Sequence, residues 1–241
     1  MENTQVLLKK RPDGMPKADD FEVVRTAVTG PAEGEALIQN LYISLDAGFR
    51  NWMDADAGDE VLPAMPLGQP VMGLTVGRVQ ASRHQTLKEG DLVMGRLAWE
   101  SHSLASDDFL VVLEDVDDDI PEHYHLGILG DTGMSAYFGL TDIGQPQPGE
   151  TVVISAAAGA VGYVAGQIAK LKGASNVIGL TSSDEKGSRL ITELGYDGYV
   201  NYRKEDLESQ FSTTCPNGID VYFDNVGGPL LETVLNHVNV G

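Results

Sequence analysis

The sequence predicts an α/β protein in two parts: a barrel-like β domain over residues 1–122, then a doubly wound parallel sheet over 123–241 that is incomplete at its C-terminus. Three observations predict it. The first half carries short runs of branched and aromatic residues, each bounded by Gly, Pro or Asp clusters. The second half alternates short apolar runs with helix-like segments. A small-residue turn, Ser155-Ala156-Ala157-Ala158-Gly159-Ala160-Val161-Gly162, lies at the first junction of that alternation.

Strand-like runs in the first half are 21–28, 35–44, 71–79, 92–98 and 109–113. Thr29-Gly30-Pro31, Pro66-Leu67-Gly68 and Glu89-Gly90-Asp91 separate them, and short strands with regular turn signals suggest a barrel. The acidic run 115–119, followed by Ile120-Pro121, reads as a solvated connection. Thr132 and Gly133 open a helix that links the two parts. Beyond it, 151–155 reads as a buried strand, 160–172 as a helix, 176–180 as a strand and 184–194 as a helix. A short strand at 198–200, a weak helix at 205–211, a strand at 219–223 and a helix at 228–238 follow. Such alternation means a parallel sheet with helices on both faces. The chain stops at Val240-Gly241, where the pattern expects a further strand, so it reads as C-terminally truncated.

Composition narrows the function classes. The chain has 241 residues and a formal net charge of −20, which repels phosphate backbones and argues against nucleic acid as a partner. With 42% hydrophobic and 22% charged residues it is ordinary for a globular protein rather than a disordered one. The single cysteine, Cys215, excludes an internal disulfide and a multi-cysteine zinc site. The polar start Met1-Glu2-Asn3-Thr4 is not a signal peptide. The nearly uncharged stretch 152–169 contains Gly159, Gly162 and Gly166 and begins with β-branched residues, so it reads as strand, turn and helix rather than a membrane span. A soluble cytoplasmic chain is the expectation.

The turn implies a coenzyme. Small residues let backbone approach a pyrophosphate, and the following helix offers free N–H groups and the positive end of its dipole, so Gly159, Ala160, Val161 and Gly162 are candidate cofactor contacts. The first glycine of the usual G-x-G-x-x-G is Ala157 here, and a helix packed closely on a sheet explains the same residues. The end of the second strand separates NAD from NADP. An NAD site places an acid there for the ribose 2′-hydroxyl. This chain reads Leu180-Thr181-Ser182-Ser183-Asp184-Glu185-Lys186, with no acid at the strand tip. Ser182 and Lys186 suit a 2′-phosphate, hence NADP(H), while Ser183 caps the helix and Asp184 and Glu185 are expected to point away.

Taken together, residues 156–162, Ser183-Asp184-Glu185-Lys186, Asn201-Tyr202 and Tyr222-Phe223-Asp224-Asn225-Val226-Gly227-Gly228 resemble the zinc-independent medium-chain dehydrogenase/reductases. Asn40-Leu41-Tyr42-Ile43-Ser44-Leu45-Asp46 and Gly133-Met134-Ser135-Ala136-Tyr137-Phe138-Gly139-Leu140 fit the prostaglandin reductase, leukotriene B4 dehydrogenase, alkenal and curcumin reductase branch. The resemblance implies a GroES-like β-barrel domain followed by a Rossmann domain that a full member completes past Gly241. It implies an NADPH-dependent reductase that passes hydride to the β-carbon of an α,β-unsaturated ketone or aldehyde. It puts Tyr202 near the adenosine phosphate, Asn225 on the cofactor and Thr132 on the nicotinamide side. Asn225 also stands at a strand tip, where ligands bind in such sheets.

Zinc dehydrogenases of the superfamily carry Gly-His-Glu where this chain reads Gly68-Gln69-Pro70, and the first half has no cysteine, so no metal is expected. His84, His102, His123, His125 and His237 read as ordinary surface residues. Tyr42 and Tyr137 are the candidate proton donors, although each reads more readily as a half-buried tyrosine whose hydroxyl reaches water. Many relatives read Asp-Pro-Tyr-Met-Arg where this chain has Asp46-Ala47-Gly48-Phe49-Arg50, which implies a roomier pocket and an Asp46–Arg50 pair bracing it. The expected partner is a small enone, enal or quinone, with no membrane and with homodimerisation as a full-length protein. Two alternatives stand beside the enone reductase: a quinone oxidoreductase on the same scaffold, and a non-catalytic truncated nucleotide-binding chain.

Overall fold

The computed structural model describes residues 1–58, 63–106, 110–114 and 119–240. The chain divides into two compact units, Met1–Leu126 and Gly127–Gly241.

In the first unit, β1 (Glu2–Leu8) and β2 (Phe21–Ala27) form an antiparallel ribbon in full register from Glu2↔Ala27 to Leu8↔Phe21. Strands β3 (Ala36–Ile43), β4 (Met72–Ser82), β5 (Leu92–Ala98), β6 (His102–Ala105) and β7 (Val111–Val112) form an antiparallel sheet in the order β6-β3-β4-β5-β7. The sheet has two edges, β6 and β7, as in a partly opened barrel. Its core is made of Ala36, Ile38, Val79, Leu87, Val93 and Ala105, with a second cluster of Leu8, Phe49, Met53, Met65 and Val71. Each fully buried aliphatic side chain contributes about 1.5–3 kcal/mol. Register irregularities between β3 and β4 occur at Leu37/Ile38 and at Asn40/Tyr42, so Tyr42 sits directly beside a break in the ladder. The expected strand 109–113 is realised only at Val111–Val112 within the described residues, and position 109 and most of the acidic run, 115–118, lie outside them.

Two pairings in this unit depart from the sequence reading. The polar N-terminus is a strand, because Asn3 and Gln5 donate side-chain amides to Glu100 (3.0 and 2.6 Å) and Asn3 also donates to the His102 carbonyl (2.8 Å). Arg50 pairs with Asp54 at 2.8 Å rather than with Asp46, and donates to the carbonyls of Pro12 and Gly14. Arg50 lies four residues before Asp54, the C-cap of the short 3-10 segment Ala47–Met53, within reach of its carboxylate.

The second unit begins with α1 (Asp131–Phe138), which continues as a π-helical turn over Gly139–Gly144. Gly133 is obligatory in α1: a Cβ there would lie 1.8 Å from the Ile128 carbonyl oxygen. Strands β8 (Thr151–Ile154), β9 (Asn176–Thr181), β10 (Gly198–Asn201) and β11 (Val221–Phe223) form a parallel sheet ordered β10-β9-β8-β11. Helices α2 (Ala160–Leu171) and α3 (Asp184–Leu194) cover one face, where Ala165, Ala169, Leu190 and Leu194 pack on Val152 and Ile154. Helices α4 (Leu207–Thr214) and α5 (Gly228–Leu235) cover the other, where Phe211 and Val234 meet Val153, Ile178 and Val200. Burial of β8 on both faces explains its unbroken apolar run.

Differences at element ends have local causes. Helix α4 starts at Leu207 because Asp206, at φ 67°, caps it by accepting from the Ser209 N–H at 3.2 Å. Helix α5 ends at Leu235, and the chain then turns so that Val238 bridges to Ile219. His237 is not a free surface residue: it stacks on Phe211 at 4.8 Å and lies 2.9 Å from Glu208. His125 likewise buries its Nε2, which has no hydrogen-bond partner among the described residues. Among the described residues no helix is long and apolar enough to cross a membrane.

Candidate functional site

The carboxyl edge of the parallel sheet is built from the turn after β8, the β9–α3 junction, the end of β10 and the end of β11. Ligands bind at this edge in doubly wound sheets.

After β8 the backbone bends sharply. Ala156 takes φ 45°, a value that L-residues rarely adopt, and the Ala157 N–H bonds the Leu180 carbonyl at 3.2 Å. Ala158, Gly159 and Ala160 are exposed, and Gly159 is the N-cap of α2 with no side chain to satisfy the helix's first N–H groups. Val161 is half-buried and packs on the core. Gly162 faces inward, and a Cβ there would lie 2.5 Å from Ala157 Cα, so this glycine lets the helix seat on the turn. The open side of the turn is thus Ala158-Gly159-Ala160, with the positive end of α2 behind it.

At the end of β9, Thr181 is buried and its hydroxyl donates to the Ser183 carbonyl at 3.0 Å. Ser183 caps α3, accepting from the Lys186 N–H at 3.3 Å. Ser182 is half-buried and Lys186 exposed, and among the described residues the Lys186 ammonium has no ion-pair partner. Glu185 lies on the side of Arg189, whose charge it helps to stabilise after Glu193. The Asp184 carboxylate reaches across to the end of β10. Lys204 Nζ lies 2.7 Å from Oδ2, Asn201 Nδ2 donates to Oδ1 at 3.1 Å, and the Tyr199 hydroxyl donates at 3.4 Å. The Lys204 contact, then the Asn201 amide, hold its carboxyl below the usual carboxylate range. Tyr202, next to Asn201, is half-buried against the α4/α5-side core.

Sequence reasoning missed Lys204. Its signal was present as an exposed lysine shortly after a strand end, but its partner is twenty positions away and is brought near only by the pairing Asn201↔Thr181.

At the end of β11 a second carboxylate, Asp224, is held by the chain itself. It accepts from the Ser155 hydroxyl (2.8 Å), the Tyr222 hydroxyl (2.9 Å) and the N–H groups of Val226 and Gly227 (3.0–3.1 Å). Burial opposes its charge, but the two backbone donors and the two hydroxyls outweigh that and lower its pKa. Asn225 is anchored beside it: its N–H donates to Ser155 Oγ at 2.6 Å and its amide to the Ser155 carbonyl at 2.9 Å. The amide oxygen of the exposed Asn225 makes no hydrogen bond among the described residues. Gly227 and Gly228, at φ 70° and 61°, carry the chain from this network into α5.

The remaining candidates lie elsewhere. The Thr132 hydroxyl donates to the Gly127 carbonyl at 2.9 Å and serves the start of α1. Tyr137 is exposed and meets Phe138 edge-on at 5.3 Å. Tyr42, in the first unit, is also exposed and lies 5.4 Å from the His123 ring. Neither phenol oxygen makes a hydrogen bond among the described residues.

An NADP-type coenzyme fits the edge. An exposed small-residue helix start offers N–H groups for phosphate, and Lys186 and Ser182 supply a cation and a hydroxyl beside a strand tip that bears no acid.

Two family models match the chain, one described as the N-terminal domain of oxidoreductase over residues 4–113 and one as zinc-binding dehydrogenase over 160–241. The NADPH-dependent curcumin reductase of Escherichia coli is 38% identical over 239 residues, covering 98% of this chain and 67% of that protein. The 2-alkenal reductase (NADP(+)-dependent) of Nicotiana tabacum is 38% identical over 237 residues, covering 97% of this chain and 68% of that protein. The chain belongs to the zinc-independent branch of the medium-chain dehydrogenase/reductase family. The crystal structure of CurA from Vibrio vulnificus in complex with NADPH superposes with a TM-score of 0.87 at 36% identity, covering 98% of this chain and 68% of that one. Zinc appears in the description of one model. Gln69 occupies the place read as the ligand, Cys215 is buried in the second unit, and among the described residues no group of three or more His, Cys, Asp or Glu is placed to hold a metal.

Proposed function

We propose that this chain is an NADPH-dependent reductase of activated carbon–carbon double bonds, acting on α,β-unsaturated ketones or aldehydes. One observation carries the reading: an exposed helix start at Ala158-Gly159-Ala160, without a side-chain cap, adjoins a β9 tip without an acid and a Lys186 that has no ion-pair partner among the described residues. That combination selects a dinucleotide with a phosphate on its adenosine ribose. The names of its relatives specify curcumin and 2-alkenal, both conjugated carbonyl compounds.

Bound NADPH supplies a hydride for the β-carbon of the enone. The chain's residues do the rest. The start of α2 receives the pyrophosphate, and Ser182, Lys186 and Tyr202 surround the adenosine phosphate. Asn225 presents its free amide oxygen to the coenzyme. Tyr42 and Tyr137 are the proposed donors to the enolate oxygen or the α-carbon, since each has an exposed hydroxyl without a partner among the described residues. Hydride on the β-carbon and a proton on the α-carbon balance the reduction.

Residues 1–122 are the proposed substrate domain and 123–241 the coenzyme domain of a soluble, cytoplasmic protein that dimerises at full length. The test is loss of NADPH absorbance with medium-chain 2-alkenals and 2-alkenones, run beside para-quinones. Turnover of the alkenals is expected. Turnover of quinones alone replaces this reading with the quinone one, and saturable NADPH binding without oxidation of either substrate overturns catalysis.

A further inference from the structure

Asp184 poses a problem that the coenzyme reading leaves open. A carboxylate near the end of the second strand favours a ribose 2′-hydroxyl and opposes a 2′-phosphate. Asp184 stands two positions before Lys186 and reaches toward β10, where Tyr202 follows. On that reading, with Ser182, Lys186 and Tyr202 around the phosphate, Asp184 is a neighbouring negative charge that has to be offset.

The surrounding groups show how the charge is handled. Asn201 and Tyr199, both on β10, hold the carboxylate oxygens from one side. The Lys204 N–H bonds the Asn201 carbonyl at 3.0 Å, and the Arg203 N–H donates to the Asn201 side chain at 3.1 Å. The turn after β10 thus sets the lysine in place over Asp184. The pair is half-exposed on both sides, so it adds little to stability. Its effect is on the local field: the Lys204 ammonium, 2.7 Å from Asp184 Oδ2, offsets the charge of that carboxylate two positions before Lys186.

We propose that Lys204 is a specificity-determining positioning residue that masks Asp184, so that a site holding an acid still prefers NADPH to NADH. The inference rests on the coenzyme reading above. Lys204 acts through Asp184 and is not itself a phosphate ligand, which separates it from Lys186.

The test uses fluorescence titration of the whole chain with NADPH and with NADH, for wild type, Lys204→Gln and the double variant Asp184→Asn/Lys204→Gln. Lys204→Gln is expected to weaken NADPH about tenfold or more and to leave NADH unchanged or tighter, because it leaves the Asp184 charge uncompensated beside the proposed phosphate site. Adding Asp184→Asn should restore NADPH to within about threefold of wild type, as the cycle isolates the pair. A loss that persists in the double variant makes Lys204 a direct phosphate contact and overturns the proposal. Equal loss of both coenzymes, or no loss in Lys204→Gln, also overturns it. Melting of the coenzyme-free variants within about 1 °C of wild type verifies that the fold is intact. If wild type binds neither coenzyme, the coenzyme reading itself fails, an outcome distinct from every one of these.

Discussion

Two aspartates stand at the carboxyl edge of the same parallel sheet, and they are satisfied in opposite ways. Asp224, after β11, spends its oxygens on the chain's own architecture: two backbone N–H groups, a buried serine hydroxyl from the end of β8 and a tyrosine on its own strand. Asp184, after β9, is satisfied by the end of one long side chain, a lysine, and by a buried asparagine amide, with a more distant phenol. The first arrangement fixes backbone and cannot change without moving the β8–β11 connection. The second fixes a charge and changes when one flexible ammonium leaves. Equal residue types at equivalent places in a sheet therefore serve shape in one case and electrostatics in the other.

The comparison breaks most visibly at Asp224. Asp224→Ala leaves the fully buried Ser155 hydroxyl and the Val226 and Gly227 N–H groups without their acceptor, and should cost about 1–3 kcal/mol in urea or thermal unfolding. It should weaken NADPH and NADH together, because the Ser155 bonds also anchor Asn225. A stability loss with the affinity for both coenzymes unchanged would show that the edge of β11 is independent of the site.

Acid titration sharpens the same contrast. The folded pKa of Asp224 is depressed, so its contribution is fully present above the ordinary carboxylate value of about 3.9 and is lost as pH falls through the lower folded value. The melting gap between wild type and Asp224→Asn should be widest near neutral pH and should shrink below about pH 4. A gap that stays constant to pH 2 would mean that the carboxylate's charge plays no part.

The smallest effect is expected at Asp184. Asp184→Asn removes an exposed ion pair and should leave the unfolding midpoint close to that of wild type. A loss as large as that of Asp224→Ala would erase the distinction between the two aspartates.

Much of this edge was legible in the chain. The unbroken branched run 151–154 demands burial on both faces, and a hydroxyl before Asp184-Glu185 marks a helix start, so β8, Ser183 and α3 follow from local chemistry. Ser155 and Asp224 are 69 positions apart and meet only because β11 pairs beside β8. Lys204 is hidden for the same reason, since its contact depends on the β9–β10 register. Strand β1 escaped notice because Asn3 and Gln5 look like loop residues until Glu100, more than ninety positions on, accepts their amides. Arg50 chose Asp54 over Asp46 through the turn geometry of a 3-10 segment that no apolar periodicity announces.

The face of the sheet beneath α2 carries one more lesson. Tyr196 places its ring where a methyl group on Gly166 would sit, 2.1 Å from the ring carbon, and its hydroxyl donates to the Gly162 carbonyl at 2.6 Å. Gly187 and the Tyr199 ring repeat the arrangement on α3, with a Cβ-to-ring separation of 2.2 Å. Each helix is thus keyed to a tyrosine by a hole and a peg. Neither half of such a key changes alone without a clash or a void, so a larger residue at either glycine is expected to be tolerated only together with a smaller one at its tyrosine.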